Sequence, residues 1–332
     1  MTALPFLPES FDVIIFDSVG TPFVGSTPRF GGLGGSELQE ILLAEGLAKA
    51  GLNVMCINNT PYGAYQNGVW YFSPEVFTFR KFKTKSLITL RSSQIPMEYI
   101  DFDKHFVWLT DLPNPNYNIV AKMVEERPST HIITVSQWHN GTFPAHWNKT
   151  FIYNQIPDQV YDLKEPRAKD RIRFIYASAA QKGLDETVQF WKMIKKEYAF
   201  KKSELTVLSP GYDRPSKEAL DSKINFKGAM PFHDTVREIA SNNAMLYVNK
   251  LPETFGISPV LAEIAGTPPF VLCLQNPGAL TETLNNPFVT NDQQQYFQWL
   301  LDFSKNPNKF IGPAKDFRTS KIMPIWREVL SI

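Results

Sequence analysis

Short β-rich apolar runs alternate with longer helical patterns from one end of this chain to the other, and that alternation is what most limits its fold. Strands are expected at Phe11–Phe16, Asn53–Asn58, Ser86–Leu90, His105–Thr110, His131–Ser136, Arg173–Ala177, Leu205–Ser209, Ala244–Val248 and Pro269–Leu274. Helices are expected between them at Ser36–Ala50, Tyr117–Arg127, Leu184–Tyr198, His233–Asn242 and Ser258–Ala265. Strand–helix alternation calls for parallel sheets covered by helices on both faces. It occurs twice, interrupted at Tyr153–Asp170, where prolines and mixed charges read as a linker. At 332 residues the chain is also longer than one hydrophobic core usually serves. The expected architecture is therefore α/β: two Rossmann-like, doubly wound domains facing across a cleft. Their expected spans are 1–155 and 171–332, with a linker at 156–170 and a C-terminal helix at Phe317–Leu330. That helix carries Ile322, Ile325, Trp326 and Val329 as its apolar stripe.

Composition removes several function classes. Lys and Arg total 34 against 33 Asp and Glu, so no global field draws the protein to nucleic acid or membrane. The two cysteines, Cys56 and Cys273, lie in apolar runs and exclude a disulfide scaffold or a cysteine-rich zinc site. No segment approaches the ~18 apolar residues of a membrane span, and the N-terminus lacks a basic start before an apolar stretch. A cytoplasmic protein is expected. No HExxH, GxSxG or P-loop pattern occurs.

In open parallel sheets, ligands sit beyond the carboxyl ends of strands, where amides at helix N-termini hold anions. Two strand-to-helix loops stand out. The first, Phe30–Ser36, places Gly31, Gly32, Gly34 and Gly35 before a helix, with Ser36 and Gln39 as a capping box and Gly51 as the stop. A dinucleotide fingerprint is not met: Glu37 falls where its third glycine belongs, and no acid closes the second strand. The second, Leu251–Pro268, runs from strand Ala244–Val248 through Glu253 and Gly256 into a short helix with Glu263, then turns at Gly266-Thr267-Pro268. Gly256 and the amides of Ile257 and Ser258 would face a phosphate, and Glu253 would accept hydrogen bonds from hydroxyls. That combination suits a ligand that is both phosphate and sugar. An ordinary strand–helix–strand unit with a solvent-facing Glu253 is the plainer alternative.

The segment PETFGIS…E…GTP resembles the donor-sugar motif E-x-F-G-x(4)-E-A-x-A-x-G-x-P of retaining glycosyltransferases with the GT-B architecture. These form the glycogen-synthase/sucrose-synthase-like superfamily, group 1 type. GGSELQEILLAEGLAKAGLNV is similar to the superfamily's G-G-x-E loop and helix, and RFIYASAAQKGLDETVQFW to the opening of its second domain. IYNQIPDQVY stands at the family's crossover, and the matches keep the family order over nearly the whole chain. The resemblance implies transfer of a sugar from a UDP- or GDP-linked donor to a glycan or other acceptor, with retention of configuration. It implies no metal and no cofactor beyond the nucleotide-sugar co-substrate. It casts Glu253, Lys182 and Asp111 as catalytic, with Lys182 at the diphosphate and Glu253 on donor-sugar hydroxyls. Donor binding would also use Gly34, Gly35, Ser178, Gly183, Phe255, Gly256, Ile257, Ser258 and Glu263. Asp111 and His139 would line the acceptor side.

The chain departs from the family in three places. The second family glutamate, eight residues after the first, is replaced by Leu261, and Glu263 lies two residues further on. Two residues on a helix turn a side chain by about 200°, so Glu263 reaches the ribose only if the helix unwinds locally at Pro259. That unwinding is the expectation adopted. The family arginine is missing near Ser178 and Ala179, and Thr110-Asp111 stands where relatives often have His before Asp.

Other readings stay open. Asp101-Phe102-Asp103 is a DxD triplet, which in the other glycosyltransferase architecture holds a divalent cation. Arg80, Lys81, Lys83, Lys85 and Arg91, interleaved with Phe77, Phe79 and Phe82, fit an anionic or nucleic-acid acceptor. A solvated basic loop with its aromatics packed inward is the favoured expectation there. A non-catalytic nucleotide-sugar or glycan-binding protein on the same fold is the alternative function, and a sugar-nucleotide epimerase a lesser third.

Overall fold

The computed structural model of the chain describes residues 7–91, 97–112, 117–209, 216–217, 224–285 and 288–332. Residues 92–96 of the basic stretch that begins at Val76 lie outside the described residues. Two compact units emerge. Unit 1 comprises Met1–Thr27, Gly34–Gln155 and Phe317–Ile332; unit 2 comprises Pro28–Leu33 and Ile156–Asp316.

Unit 1 is built on an eight-stranded sheet of order β3-β4-β2-β1-β5-β6-β7-β8. The strands are β1 (Ser10–Asp17), β2 (Val54–Asn58), β3 (Ala64–Gln66), β4 (Val69–Phe72), β5 (Phe82–Leu90), β6 (Ile100–Trp108), β7 (His131–Thr134) and β8 (Lys149–Phe151). Every pairing is parallel except β3 with β4, a hairpin absent from the sequence expectations. Its two-residue Asn67-Gly68 loop has positive φ at both positions, the conformation such a tight hairpin needs. A short helix α1 (Thr27–Phe30) precedes α2 (Gly35–Lys49), and α3 (Tyr117–Glu126) and α4 (Gln137–Gly141) follow the later strands.

Unit 2 has a six-stranded, all-parallel sheet of order β11-β10-β9-β12-β13-β14. Its strands are β9 (Arg173–Ala177), β10 (Glu204–Leu208), β11 (Asn225–Gly228), β12 (Ala244–Asn249), β13 (Pro269–Cys273) and β14 (Phe288–Thr290). Helices α5 (Leu184–Ile194), α6 (Phe232–Ser241), α7 (Ile257–Ile264), α8 (Leu280–Thr283) and α9 (Gln293–Lys305) connect them. Strands β12 and β13 are buried at every position, as expected of sheets covered on both faces.

Three local expectations are corrected. The last helix, α10 (Thr319–Leu330), belongs to unit 1 rather than to the second domain, and packs on α2. Its buried side is Ile322, Met323, Trp326 and Leu330, whereas Ile325 is 41% exposed. The α2 capping box does not form. Gly34 is the N-cap with no side-chain bond, Ser36 donates to Thr110 Oγ1 at 3.0 Å, and Gln39 exchanges two bonds with the Gln155 backbone. The helix expected to reach Tyr198 stops at Ile194. Among the described residues, no helix is long and apolar enough to cross a membrane.

Trp326 meets Trp108 of β6 edge-on at 4.7 Å between ring centroids, and both are fully buried. Truncating a buried tryptophan removes its transfer free energy and leaves a cavity. We expect Trp326→Ala to lower stability by about 3–5 kcal/mol, measured by urea unfolding, with the loss read from unit 1 signals. A loss under about 1 kcal/mol would show that α10 contributes little to that core.

Candidate functional site

Parallel strand order reverses between β1 and β5 in unit 1 and between β9 and β12 in unit 2. Loops leave the carboxyl ends of such neighbours in opposite directions and open a crevice, so these reversals are where a ligand site belongs.

In unit 2 the loop after β9 carries Ser178, Lys182 and Gly183, and the loop after β12 carries Glu253 to Ser258. They are drawn together by backbone. Gly183 sits at φ +129°, and a Cβ on it would lie 2.0 Å from the Val248 carbonyl oxygen, so only glycine fits. The Lys250 amide donates to the Lys182 carbonyl at 2.9 Å. Lys182 Nζ then donates to both oxygens of Glu253, at 3.0 and 2.9 Å. The Tyr247 hydroxyl donates to Glu253 Oε1 at 2.5 Å and lies 3.5 Å from Ser178 Oγ. Burial, then the neighbouring Glu253 carboxylate, push the Tyr247 hydroxyl well above its ordinary pKa, so it stays a donor. Glu253 is itself buried, and the Ala279 amide donates to its carbonyl at 2.8 Å. Beyond it, Gly256 takes a left-handed conformation (φ +84°, ψ +57°) as N-cap of α7, with no side chain closing the helix end. Phe255 is buried, and its carbonyl accepts from Thr283 Oγ1 at 2.8 Å, which anchors the loop from below. The amides of Ile257 and Ser258 open α7 beside this carboxylate, an arrangement suited to an anion next to hydroxyls.

In unit 1, Arg91 follows β5 directly and adopts a left-handed backbone (φ +56°), with its amide donating to the Trp108 carbonyl at 2.9 Å. Its guanidinium meets Glu37 Oε1 at 2.9 Å, Asp111 Oδ2 at 3.6 Å and Asp17 Oδ2 at 3.8 Å. Burial alone would lower its pKa; Asp17, Glu37 and Asp111 outweigh that and raise it, so it stays charged. Glu40, buried behind Asp17, is pushed well above the carboxylate range by burial and then by Asp17, and holds its proton. Asp111 is the exposed member of the group. His139 is fully buried. Its Nε2 contacts the Asp111 carbonyl at 2.9 Å and its Nδ1 accepts from the Val135 amide, so it fixes the Asp111 backbone and is not on the surface where an acceptor-side role was expected.

No protein-family model matches the chain, and no curated protein matches it in sequence. Solved structures do. Sucrose-phosphate synthase from Thermosynechococcus elongatus superposes with a TM-score of 0.73 over 98% of this chain and 100% of that one, at 14% identity. Anabaena HepE, solved with UDP and glucose, gives 0.67 over 97% and 99%, also at 14% identity. AviGT4, a glycosyltransferase of avilamycin A biosynthesis, gives 0.62 over 97% of each chain at 13% identity. The chain has the GT-B fold.

On this GT-B fold the motif residues divide. Lys182, Gly183, Glu253, Gly256, Ile257 and Ser258 gather at the unit 2 reversal, with Ser178 beside them and Phe255 beneath. Gly34 and Gly35 open α2 in unit 1, and Asp111 stands at the unit 1 reversal. Glu263 is turned elsewhere. Helix α7 runs unbroken through Pro259, and the Glu263 carboxylate accepts the Asn285 amide at 3.1 and 3.0 Å. The expected unwinding is absent because Pro259, in the first turn, lacks only an N–H that would have no helical partner there. Asp101 and Asp103 lie on one face of β6, with Asp101 paired in register to Lys83 of β5 and Asp103 acting electrostatically on Lys85. In the basic stretch, Lys85 pairs with Asp12 at 2.8 Å and Arg80 donates to the Leu7 carbonyl at 3.2 Å. Phe77 and Phe82 enter the core, Phe79 is exposed, and Lys81 and Lys83 stay on the surface.

Two site-supporting residues went unread in the sequence. Arg91 was counted only as surface charge, although a cation one residue past a central strand is a signal of a strand-end site. Tyr247 was hidden in an apolar run, where its hydroxyl needed a buried partner.

Burial lowers His139 to about 4, and burial with the Arg127 charge does the same to His105. An unfolded histidine titrates near ~6.5, so between about pH 6.5 and 4 the unfolded chain binds protons the folded chain does not. Stability is therefore complete above that window and falls as pH drops through it, by up to roughly 3 kcal/mol per histidine. We expect His139→Gln to lessen the difference in urea-unfolding stability between pH 7 and pH 5. An unchanged difference would mean that His139 titrates normally in the fold.

Proposed function

We propose that this protein transfers a sugar from a nucleotide diphosphate sugar to a glycan or other acceptor, with retention of configuration and without a divalent metal. The observation that carries the reading is the Lys182–Glu253 pair beside the open N-terminus of α7 at the unit 2 reversal. The GT-B fold supports it, and HepE, with its UDP and UDP-glucose complexes, makes UDP the first base to try.

In this reading the diphosphate rests on the Ile257 and Ser258 amides and on Lys182, which neutralise the charge that grows as the anomeric C–O bond breaks. Glu253, held by Tyr247, accepts donor-sugar hydroxyls and fixes the ring. The acceptor hydroxyl forms its new C–O bond on the face the diphosphate leaves, and its proton passes to the departing phosphate oxygen. Asp111, restrained by Arg91, serves the acceptor side.

A non-catalytic nucleotide-sugar-binding protein is the second reading. It is favoured by Leu261 in place of the family carboxylate and by the commitment of Glu263 to the Asn285 amide. Release of UDP or GDP from a donor sugar by purified protein separates the two.

A thermal-shift screen over UDP-, GDP-, ADP- and dTDP-sugars should show one base raising the melting temperature; saturation at 100 times Kd is worth about 2.7 kcal/mol. Lys182→Ala should weaken nucleoside diphosphate binding and slow transfer together, because it contacts the diphosphate before and during reaction. Glu253→Gln should depress transfer without weakening nucleoside diphosphate binding. Activity should persist in excess EDTA. Unchanged nucleotide affinity in Lys182→Ala would refute the donor site, and activity lost in EDTA and restored by manganese would move the chemistry to a metal-dependent centre.

A further inference from the structure

A cavity lies at the other edge of the unit 2 sheet. Ile172, Ser203 and Asn243, which directly precede β9, β10 and β12, all line it, so it faces away from the strand ends that carry Lys182 and Glu253. Its volume is about 960 Å³, at the upper end for a small-molecule site and far beyond the needs of a single phosphate.

Its lining is cationic. Six lysines and arginines face two acids. Arg167 is spent on structure, donating to the Ala240 and Ala265 carbonyls. Glu165 is bound by Arg237 at 2.6 Å, and Arg171 takes Glu204 at 3.0 Å and Asp170 at 3.8 Å. Lys164, Lys169, Lys201 and Lys202 are exposed and make no ion pair among the described residues. Like charges gathered around one hollow repel one another, and no ion pair among the described residues compensates these four. Beside them Tyr198 is 94% exposed, a ring with no packing role. It lies on the turn that follows α5, between Lys195-Lys196 and Lys201-Lys202.

We propose that this cavity binds a stretch of acidic glycan, a chain of sugars carrying carboxylate, sulfate or phosphate groups. Lysines are mobile point charges suited to anions spaced along a polymer, whereas bidentate recognition of one phosphate calls for arginine forks. A single open ring presents a face to the C–H side of one pyranose, whereas a nucleic-acid strand needs successive stacking platforms. The Asn308 side chain, which also lines the cavity, suits sugar hydroxyls. The proposal goes beyond the transfer reading and does not need it: the cavity would hold an acidic chain whether or not unit 2 turns over a donor.

The test is fluorescence anisotropy on the full chain with labelled heparin hexasaccharide and hexagalacturonate. Maltohexaose and a single-stranded thymidine hexanucleotide serve as neutral and nucleic-acid probes. We expect at least one acidic hexasaccharide to bind, more weakly as salt rises, and maltohexaose not to bind. Charge reversal in Lys201→Glu/Lys202→Glu should weaken it more than tenfold. Tyr198→Ala should weaken it several-fold without changing the salt dependence. Both substitutions are at exposed positions, and Lys164→Gln/Lys169→Gln is a milder second variant should the reversal fail to fold. UDP affinity should be the same in all variants, which separates this cavity from the donor site. The proposal is overturned if neither acidic hexasaccharide binds, if binding survives the lysine variants, or if the hexanucleotide binds as tightly and is lost in the same variants.

Discussion

The approach of Gly183 to the Val248 carbonyl is the contact on which unit 2 depends. It brings two loops from oppositely wound halves of one sheet within backbone distance, and no residue with a Cβ could sit there. With the backbones that close, the Lys182 ammonium reaches both carboxylate oxygens of Glu253. Glu253 in turn is buried only because Lys182 and Tyr247 supply donors to its oxygens. The helix end at Gly256, which no side chain caps among the described residues, completes the group. Sheet topology, glycine backbone and ion pair are thus one device.

Unit 1 meets the same problem with the opposite sign. At its reversal one guanidinium stands among Asp17, Glu37 and Asp111, with Glu40 behind. Four ionised carboxylates around one cation would be untenable in a buried setting. The fold resolves this by keeping Glu40 protonated and by leaving Asp111 at the surface, where water shares its charge. The left-handed backbone at Arg91 aims the guanidinium at this group and is held by the Trp108 carbonyl. His139 sets the Asp111 backbone through its carbonyl. The exposed carboxylate is therefore restrained from both its side chain and its main chain.

The parts legible in the sequence were those fixed by local pattern. The β9 strand Arg173–Ala177 was read to the residue, and β12, β13, α2 and α7 to within one, because apolar runs and glycine stops mark them directly. The loop from Glu253 to Ser258 was legible as a strand-to-helix turn because glycine spacing reports backbone need. What escaped was long-range. Nothing near Phe317 says that α10 packs in unit 1, since that depends on Trp326 finding Trp108 more than two hundred positions earlier. Gln39 looked like a capping residue and is a tie to Gln155, and His139, expected on the acceptor side, is buried. The Asn67-Gly68 hairpin was readable and was missed, because the strands it joins are only three and four residues long.

With Lys182 closed onto Glu253 the pair is neutral, so it exerts little net pull on a diphosphate; the first attraction falls to the amides and dipole of α7. A diphosphate arriving there offers the Lys182 ammonium a second and stronger partner. As Lys182 shifts its charge toward the phosphate, Glu253 would be stranded as a buried carboxylate without a cation, which is costly unless other donors replace it. The Tyr247 hydroxyl already supplies one, and sugar hydroxyls of a bound donor would supply the rest. Nucleotide without sugar leaves Glu253 short of partners; nucleotide with sugar does not. In the proposed function, that difference favours the complete donor over free nucleoside diphosphate, and so favours binding of the substrate and release of the nucleotide product.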